Sequence, residues 1–247
     1  MKNYQKLSNM SFSNLLNDNT VYDTSGRPNK NKFSNKEIFE DIIKKLDIKK
    51  NSTFLDIGCG CGEITEKIIN FSLNNNIKLS LNDIDPVIKT LKNKNLKNSN
   101  IDFYSGVFQK LKIKKKFDYI LVYSVIHYIN DPILFIDKIF KLLNTNGKIL
   151  IGDIPNIDKK ARFSISTKGR IFNGKYFKLP LRKIPKYRSY EDFIKNNKNL
   201  RKDIDDKFIN KIFKIYRAKY CNVYLLEQKK TLPSCYTRED ILIEKLK

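Results

Sequence analysis

The 247 residues are 40% hydrophobic and 30% charged, which is enough apolar content for a core and argues against wholesale disorder. The longest apolar stretch, 119–126, falls far short of the ~20 residues that a membrane-spanning helix needs. Lys and Arg number 49 against 26 Asp and Glu, a net charge of +23, which fits either an anionic partner or the Lys-, Asn- and Ile-rich drift of an AT-rich genome.

Residues 1–32 are polar and weakly patterned, with a turn-rich stretch over 23–28 that contains Arg27. They lack the continuous apolar core of a secretory signal, so a cytoplasmic location is expected. The remainder, 33–247, reads as one domain. Ser34 and Glu37 form a capping box for a helix over 35–46, with Ile38, Phe39, Ile42, Ile43 and Leu46 on one face. A buried strand over 53–57 runs into Gly58-Cys59-Gly60-Cys61-Gly62, and a helix follows with Ile64, Ile68 and Ile69 inward. A second strand over 77–81 ends at Asn82-Asp83. Asp85-Pro86 then caps and starts a helix through Val87, Ile88 and Leu91. Short strands over 101–104 and 119–123 follow; the latter is nearly all apolar, as a strand covered on both faces must be. Asp131-Pro132 opens a helix to 143, Asn146-Gly147 ends it, and 148–151 is a fifth strand. This alternation predicts an α/β fold with a doubly wound, mostly parallel sheet. The stretch 155–218 shows no strand and reads as a helical insertion on the acceptor side, with a helix over 204–217. Two late strands, 223–226 and 241–243, are spaced to pair as a hairpin.

The chemistry starts at Asp56-Ile57-Gly58-Cys59-Gly60-Cys61-Gly62. A strand feeding a glycine-rich turn and then a helix lets a ligand approach the backbone beside a helix N-terminus. The dinucleotide fingerprint needs its third glycine where Glu63 stands, and no Gly-Lys-Ser/Thr of a phosphate-cradling loop follows. Cys59 and Cys61 read as small residues in a crowded turn; two cysteines alone cannot complete a zinc site, and no metal is expected.

With these motifs in order over 35–155, the sequence resembles the class I S-adenosylmethionine-dependent methyltransferases, in particular their small-molecule branch. The resemblance implies a seven-stranded Rossmann-like sheet with a late antiparallel pair, S-adenosyl-L-methionine as cofactor and S-adenosyl-L-homocysteine as product. It implies that Asp56, Gly58, Cys59 and Gly60 line the methionine part and that Asp83 takes both ribose hydroxyls, as two carboxylate oxygens suit a vicinal diol. Ile84 would lie on the adenine face. Gly106, Val107 and Phe108 match the loop after the third strand, where many relatives carry an Asp in place of Val107. Ser124 belongs to the fourth-strand motif.

His127, the sole histidine, lies past the fourth strand, on the edge where open α/β sheets bind ligands. It is read as a general base, as a residue packed beside the cofactor, or as a core histidine with a backbone partner. Asp153, at the end of the fifth strand, is read as acceptor ligand or base, or as a turn or helix cap. Residues 159–188 hold eleven Lys or Arg and no acid. There Arg162, Arg170, Arg182 and Arg188 offer bidentate contacts to an anionic acceptor, with Arg27 closing from the N-terminal segment; a nucleic-acid groove and a plain solvated surface are the other readings. The leading expectation is methyl transfer to oxygen of a small anionic acceptor, such as a phosphorylated or nucleotide-linked sugar or glycan precursor. The alternatives are an RNA methyltransferase and a non-catalytic cofactor-binding partner.

Overall fold

The computed structural model describes residues 32–94, 99–232 and 234–246. The N-terminal segment and Arg27 lie outside them. In chain order the elements are α1 (Lys32–Leu46), β1 (Thr53–Ile57), α2 (Glu63–Asn74), β2 (Lys78–Asp83), α3 (Asp85–Asn93), β3 (Ile101–Ser105), β4 (Phe117–Tyr123), α4 (Pro132–Lys141) and β5 (Leu143–Pro155). There follow α5 (Ile157–Ile165), α6 (Thr167–Phe177), α7 (Tyr190–Asn196), α8 (Asp206–Arg217), β6 (Cys221–Leu226) and β7 (Arg238–Lys245).

The seven strands form one sheet in the order β3-β2-β1-β4-β5-β7-β6. The first five run parallel, and β7 is antiparallel to both β5 and β6, so the late strands do form the expected hairpin. Central β4 is buried on both faces, which is why Ile120, Leu121 and Val122 need no polar alternation. One apolar cluster packs α4 and α8 on one face of the sheet, through residues such as Phe135, Ile136, Ile212 and Tyr216. The other packs α1, α2 and α3 on the opposite face, through Ile42, Ile68 and Leu91 among others. Within the stretch 155–218, α5 and α7 share a small core of Ile157, Ala161 and Phe193, whereas α8 joins the main one.

Three local expectations are corrected. Ser34 is not a cap, because α1 already begins at Lys32. Asp85 lies in the first turn of α3, with Ile84 at the cap position, and its carboxylate accepts from the Ser105 hydroxyl instead. Asn146-Gly147 does not end a helix: α4 stops at Lys141, and the pair lies in the bulged start of β5, where pairing jumps from Phe117↔Leu143 to Tyr119↔Lys148. In this irregular start of the strand Asn146 takes a left-handed backbone, φ 61°, as it would at a helix end.

Strand order reverses between β1's two neighbours, β2 and β4, and ligands bind at the carboxyl ends of strands at such a switch point.

Candidate active site

The turn after β1 hangs on β2: the Gly58 and Cys59 N–H groups both donate to the Asn82 carbonyl, at 2.8 and 3.2 Å. The two glycines have different reasons. Gly58 (φ 71°) is pressed against β4's extension, where an added Cβ would lie 2.4 Å from Val125 Cγ2. Gly60 (φ 65°) meets nothing within 4 Å and borders open space. That space is a cavity of about 190 Å³, and all ten residues expected to hold the cofactor line it: Asp56, Gly58, Cys59, Gly60, Asp83, Ile84, Gly106, Val107, Phe108 and Ser124. Asp83 is oriented by two backbone donors, Gly60 N–H at 2.8 Å and Ile84 N–H at 2.7 Å, one on each carboxylate oxygen. Each oxygen keeps a lone pair for a hydroxyl. The first turn of α2 also faces the cavity, and its Gly62 cap offers no side-chain acceptor to the N–H groups there.

Two carboxyls border this space, Asp56 buried and Asp83 half-buried. Burial pushes Asp56 up to about 8, with the Asp83 charge adding to it. Burial also raises Asp83, against the pull of its two backbone donors. The cavity therefore disfavours negative charge until a cation enters. Burial and the two nearby acids hold Cys59 well above the ordinary thiol range, so it is a thiol rather than a nucleophile.

Sequence reasoning missed how the rim is held. The 3-10 turn Phe108–Lys110 is pinned by Lys138, whose Nζ donates to the carbonyls of Phe108, Gln109 and Leu111 at 3.1, 2.7 and 2.8 Å. The turn Ile126–Tyr128 is pinned by Arg201, whose Nη1 donates to the His127 and Ile129 carbonyls at 2.9 and 2.6 Å. Ser124 and Asp153, at the ends of β4 and β5, both take φ 58°, which is strained for a side-chain-bearing residue. Asn35 from α1, Gln109, Tyr123 and Tyr128 also line the cavity. No spacing rule marks them, because they arrive through packing.

His127 and Asp153 lie beside the cavity lining rather than in it; Ser124, Val125 and Tyr128 around His127 are part of it. The His127 Nδ1 is buried and has no hydrogen-bond partner among the described residues. Burial, then Arg238 and Arg201, hold the imidazole down to about 4, with Asp153 pulling the other way. Asp153 Oδ1 accepts from Gln228 at 3.3 Å and lies 3.9 Å from Arg238 Nε. The described arginines of 159–188 are elsewhere. Arg162 forms a pair with Asp206 at 2.6 Å, Arg170 donates to the Leu181 carbonyl at 3.4 Å, and neither they nor Arg182 and Arg188 line the cavity.

The two glycines separate experimentally. Gly60→Ala is expected to cost about 1–2 kcal/mol of stability, the left-handed backbone penalty, while its methyl projects into the ligand space and abolishes cofactor binding. Gly58→Ala adds roughly 1–3 kcal/mol of overpacking against Val125. Denaturant melts alongside calorimetry check this; equal stability losses would contradict the geometry.

Comparison with known proteins follows the same line. Residues 48–184 match the family model described as a methyltransferase domain. The chain is 34% identical over 135 residues to the ubiquinone biosynthesis O-methyltransferase of Pelagibacter ubique (strain HTCC1062), covering 52% of this chain and 55% of that one. It is 28% identical over 126 residues to malonyl-[acyl-carrier protein] O-methyltransferase 1 of Ilyobacter polytropus, covering 49% and 46%. The chain thus spans about half the length of the curated relatives it matches. The N-methyltransferase NodS from Bradyrhizobium japonicum WM9, solved with S-adenosyl-L-homocysteine, aligns over 100% of both chains with a TM-score of 0.57 at 14% identity, a likeness of fold.

Proposed function

Because the chain belongs to the class I S-adenosylmethionine-dependent methyltransferases, we propose that it transfers a methyl group from S-adenosylmethionine to an oxygen of a small anionic acceptor. The observation that carries the cofactor half is the open face of Gly60, with Asp56 and Asp83 bordering the same cavity. A glycine turn that leaves room for a ligand, next to two acids that burial keeps reluctant to ionise, suits a cationic nucleoside. Bound there, the sulfonium supplies an activated methyl group with its own leaving group. The chain's residues supply position and environment. Asp83 receives a diol, the α2 N-terminus faces a carboxylate, and the pinned rim turns fix the edge where the acceptor enters.

Oxygen as the methylated atom is favoured by the two curated relatives, both named O-methyltransferases. With its proton affinity held down, His127 is a free base at neutral pH and can take a proton from a hydroxyl. Such help is worth roughly 10²–10⁴-fold, less than the ~7–11 kcal/mol that alignment can supply. A carboxylate acceptor needs no base at all.

Calorimetry with S-adenosylmethionine tests the cofactor half, and Asp83→Ala is expected to weaken binding by at least about a hundredfold, the lower end of what two hydrogen bonds to a charged group are worth. Unchanged binding in Asp83→Ala would refute it. Release of S-adenosylhomocysteine, measured across fractionated cell metabolites, identifies the acceptor.

A further inference from the structure

The end of α6 and the turn after it gather apolar side chains at the surface. Of the eleven large ones exposed among the described residues, five fall within 171–181: Ile171, Tyr176, Phe177, Leu179 and Leu181. Residues 175–183 are exposed without interruption, and Lys175, Lys178, Arg182 and Lys183 are interleaved with the apolar ones. Local bonds fix this arrangement. Lys178 caps α6 in the left-handed region, the Leu179 N–H donates back to the Gly174 carbonyl at 2.9 Å, and Arg170 Nη2 donates to the Leu181 carbonyl at 3.4 Å. A 3-10 turn over Leu181–Lys183 follows, and buried Ile184 packs at Gly174, whose absent Cβ would lie 3.7 Å from Ile184 Cγ1. Ile171 is one helical turn before Gly174, so it stands beside the folded-back segment. No acid occurs between 159 and 188. The described ion pairs of the stretch 155–218 use Lys159, Arg162 and Arg201, and none of these four cations.

We propose that the end of α6 and the turn 178–183 form a docking surface for a bilayer that displays anionic phospholipid. Apolar side chains exposed singly need no explanation, but a group of them rimmed by cations without counter-charges marks an interaction surface. A bilayer answers both halves of that chemistry. Headgroup phosphates take the Lys and Arg heads, while the Phe, Tyr and Leu side chains and the cations' own stems enter the acyl boundary. A nucleic acid fits less well, because Ile171, Leu179 and Leu181 give a base no ring to stack on, and three of the four cations are Lys. A folded protein partner needs roughly 20–30 residues a side, more than this turn offers. The insertion that carries the surface leaves the sheet at the carboxyl end of β5, the edge on which the cofactor cavity lies. The docking surface is independent of the methyl-transfer chemistry, and either can fail alone.

Co-sedimentation of the full chain with vesicles reads this directly. Binding to equimolar phosphatidylglycerol and phosphatidylcholine is expected to be at least about tenfold stronger than to phosphatidylcholine alone, and to weaken as salt is added. Phe177→Ala with Leu181→Ala, and Lys178→Gln with Lys183→Gln, should each cost about tenfold or more. Lys207→Gln with Lys211→Gln, two exposed cations of α8, should change binding less than about twofold. All these side chains are exposed, and denaturant melts verify that each variant is folded. Absence of binding to the anionic vesicles overturns the surface. So does an equal loss in the α8 pair, which marks diffuse attraction to a basic chain, or undiminished binding without Phe177 and Leu181, which leaves no apolar insertion. An RNA oligonucleotide that the 177–183 variants no longer bind, with vesicle binding intact, assigns the surface to nucleic acid and overturns the lipid one.

Discussion

Asp56→Asn is expected to make the ligand-free protein more stable and its cofactor binding weaker by at least about tenfold, the two effects having opposite sign. The reason is the direction of the Asp56 shift. In the unfolded chain the group titrates near its ordinary 3.8, and in the fold burial, reinforced by Asp83, lifts it to about 8. Between those values the folded state holds more protons than the unfolded one, so stability falls as pH rises. The contribution is fully present below about 4 and is lost as pH climbs through about 8. Asparagine does not titrate and escapes that loss. The melting temperatures of the two proteins should nearly coincide in acid and separate progressively toward pH 8. Binding runs the other way, because a cationic ligand draws the carboxylate into its charged form. Wild-type affinity should rise with pH, and binding at neutral pH should release protons, read by calorimetry in buffers of different ionisation heat. An Asp56→Asn protein that is less stable at every pH, with unaltered affinity, would show the residue to be a structural one.

The cofactor half of this site was legible in sequence because its logic is local. A strand, a bend that only glycine tolerates and a helix start are consecutive residues. Asp83 ends the neighbouring strand, and the parallel β1–β2 register, with Ile57 opposite Asn82, delivers it to the bend. The edge around Asp153 was not legible, because its parts are joined by tertiary register. Arg238 reaches Asp153 only because β7 turns back antiparallel along β5, and nothing near Arg238 in sequence marks it out. The acid-free run 159–188 drew attention by composition. The fold turns Arg162 toward Asp206, while Lys160, two positions earlier on α5, remains without a carboxylate partner among the described residues. Helix geometry separates neighbours in sequence, so a charge run does not say which of its members share a face. The pinning cations were equally invisible. Lys138 and Arg201 each hold a rim turn through backbone carbonyls, and carbonyls carry no sequence signature.

Lys45 extends that point to stability. Its side chain, on α1, is only 10% exposed. Its Nζ lies 2.5 Å from Asp41 Oδ2 and 2.6 Å from Asp240 Oδ2, and the Asp240 side chain is fully buried. The other Asp240 oxygen accepts from the Asp153 N–H at 2.8 Å and from Gln228 at 3.1 Å. One carboxylate thus ties α1 to the strained end of β5. Lys45→Met keeps the apolar stem but strands that charge, and should lower the unfolding free energy by about 3–5 kcal/mol, as for other broken buried pairs. Burial already raises Asp240, and Lys45 is foremost among the groups that oppose it. Without Lys45 the folded-state value climbs further. Since a raised carboxyl contributes stability that is present below its unfolded value and lost as pH rises, the deficit of the variant should be small in acid and grow toward neutral pH. Adding Asp240→Asn to Lys45→Met removes the stranded charge, and the double variant should regain much of the loss, a coupling that a double-mutant cycle measures directly. A cost under about 1 kcal/mol, independent of pH, would mark an ordinary surface pair and would break the proposed link between α1 and the acceptor edge.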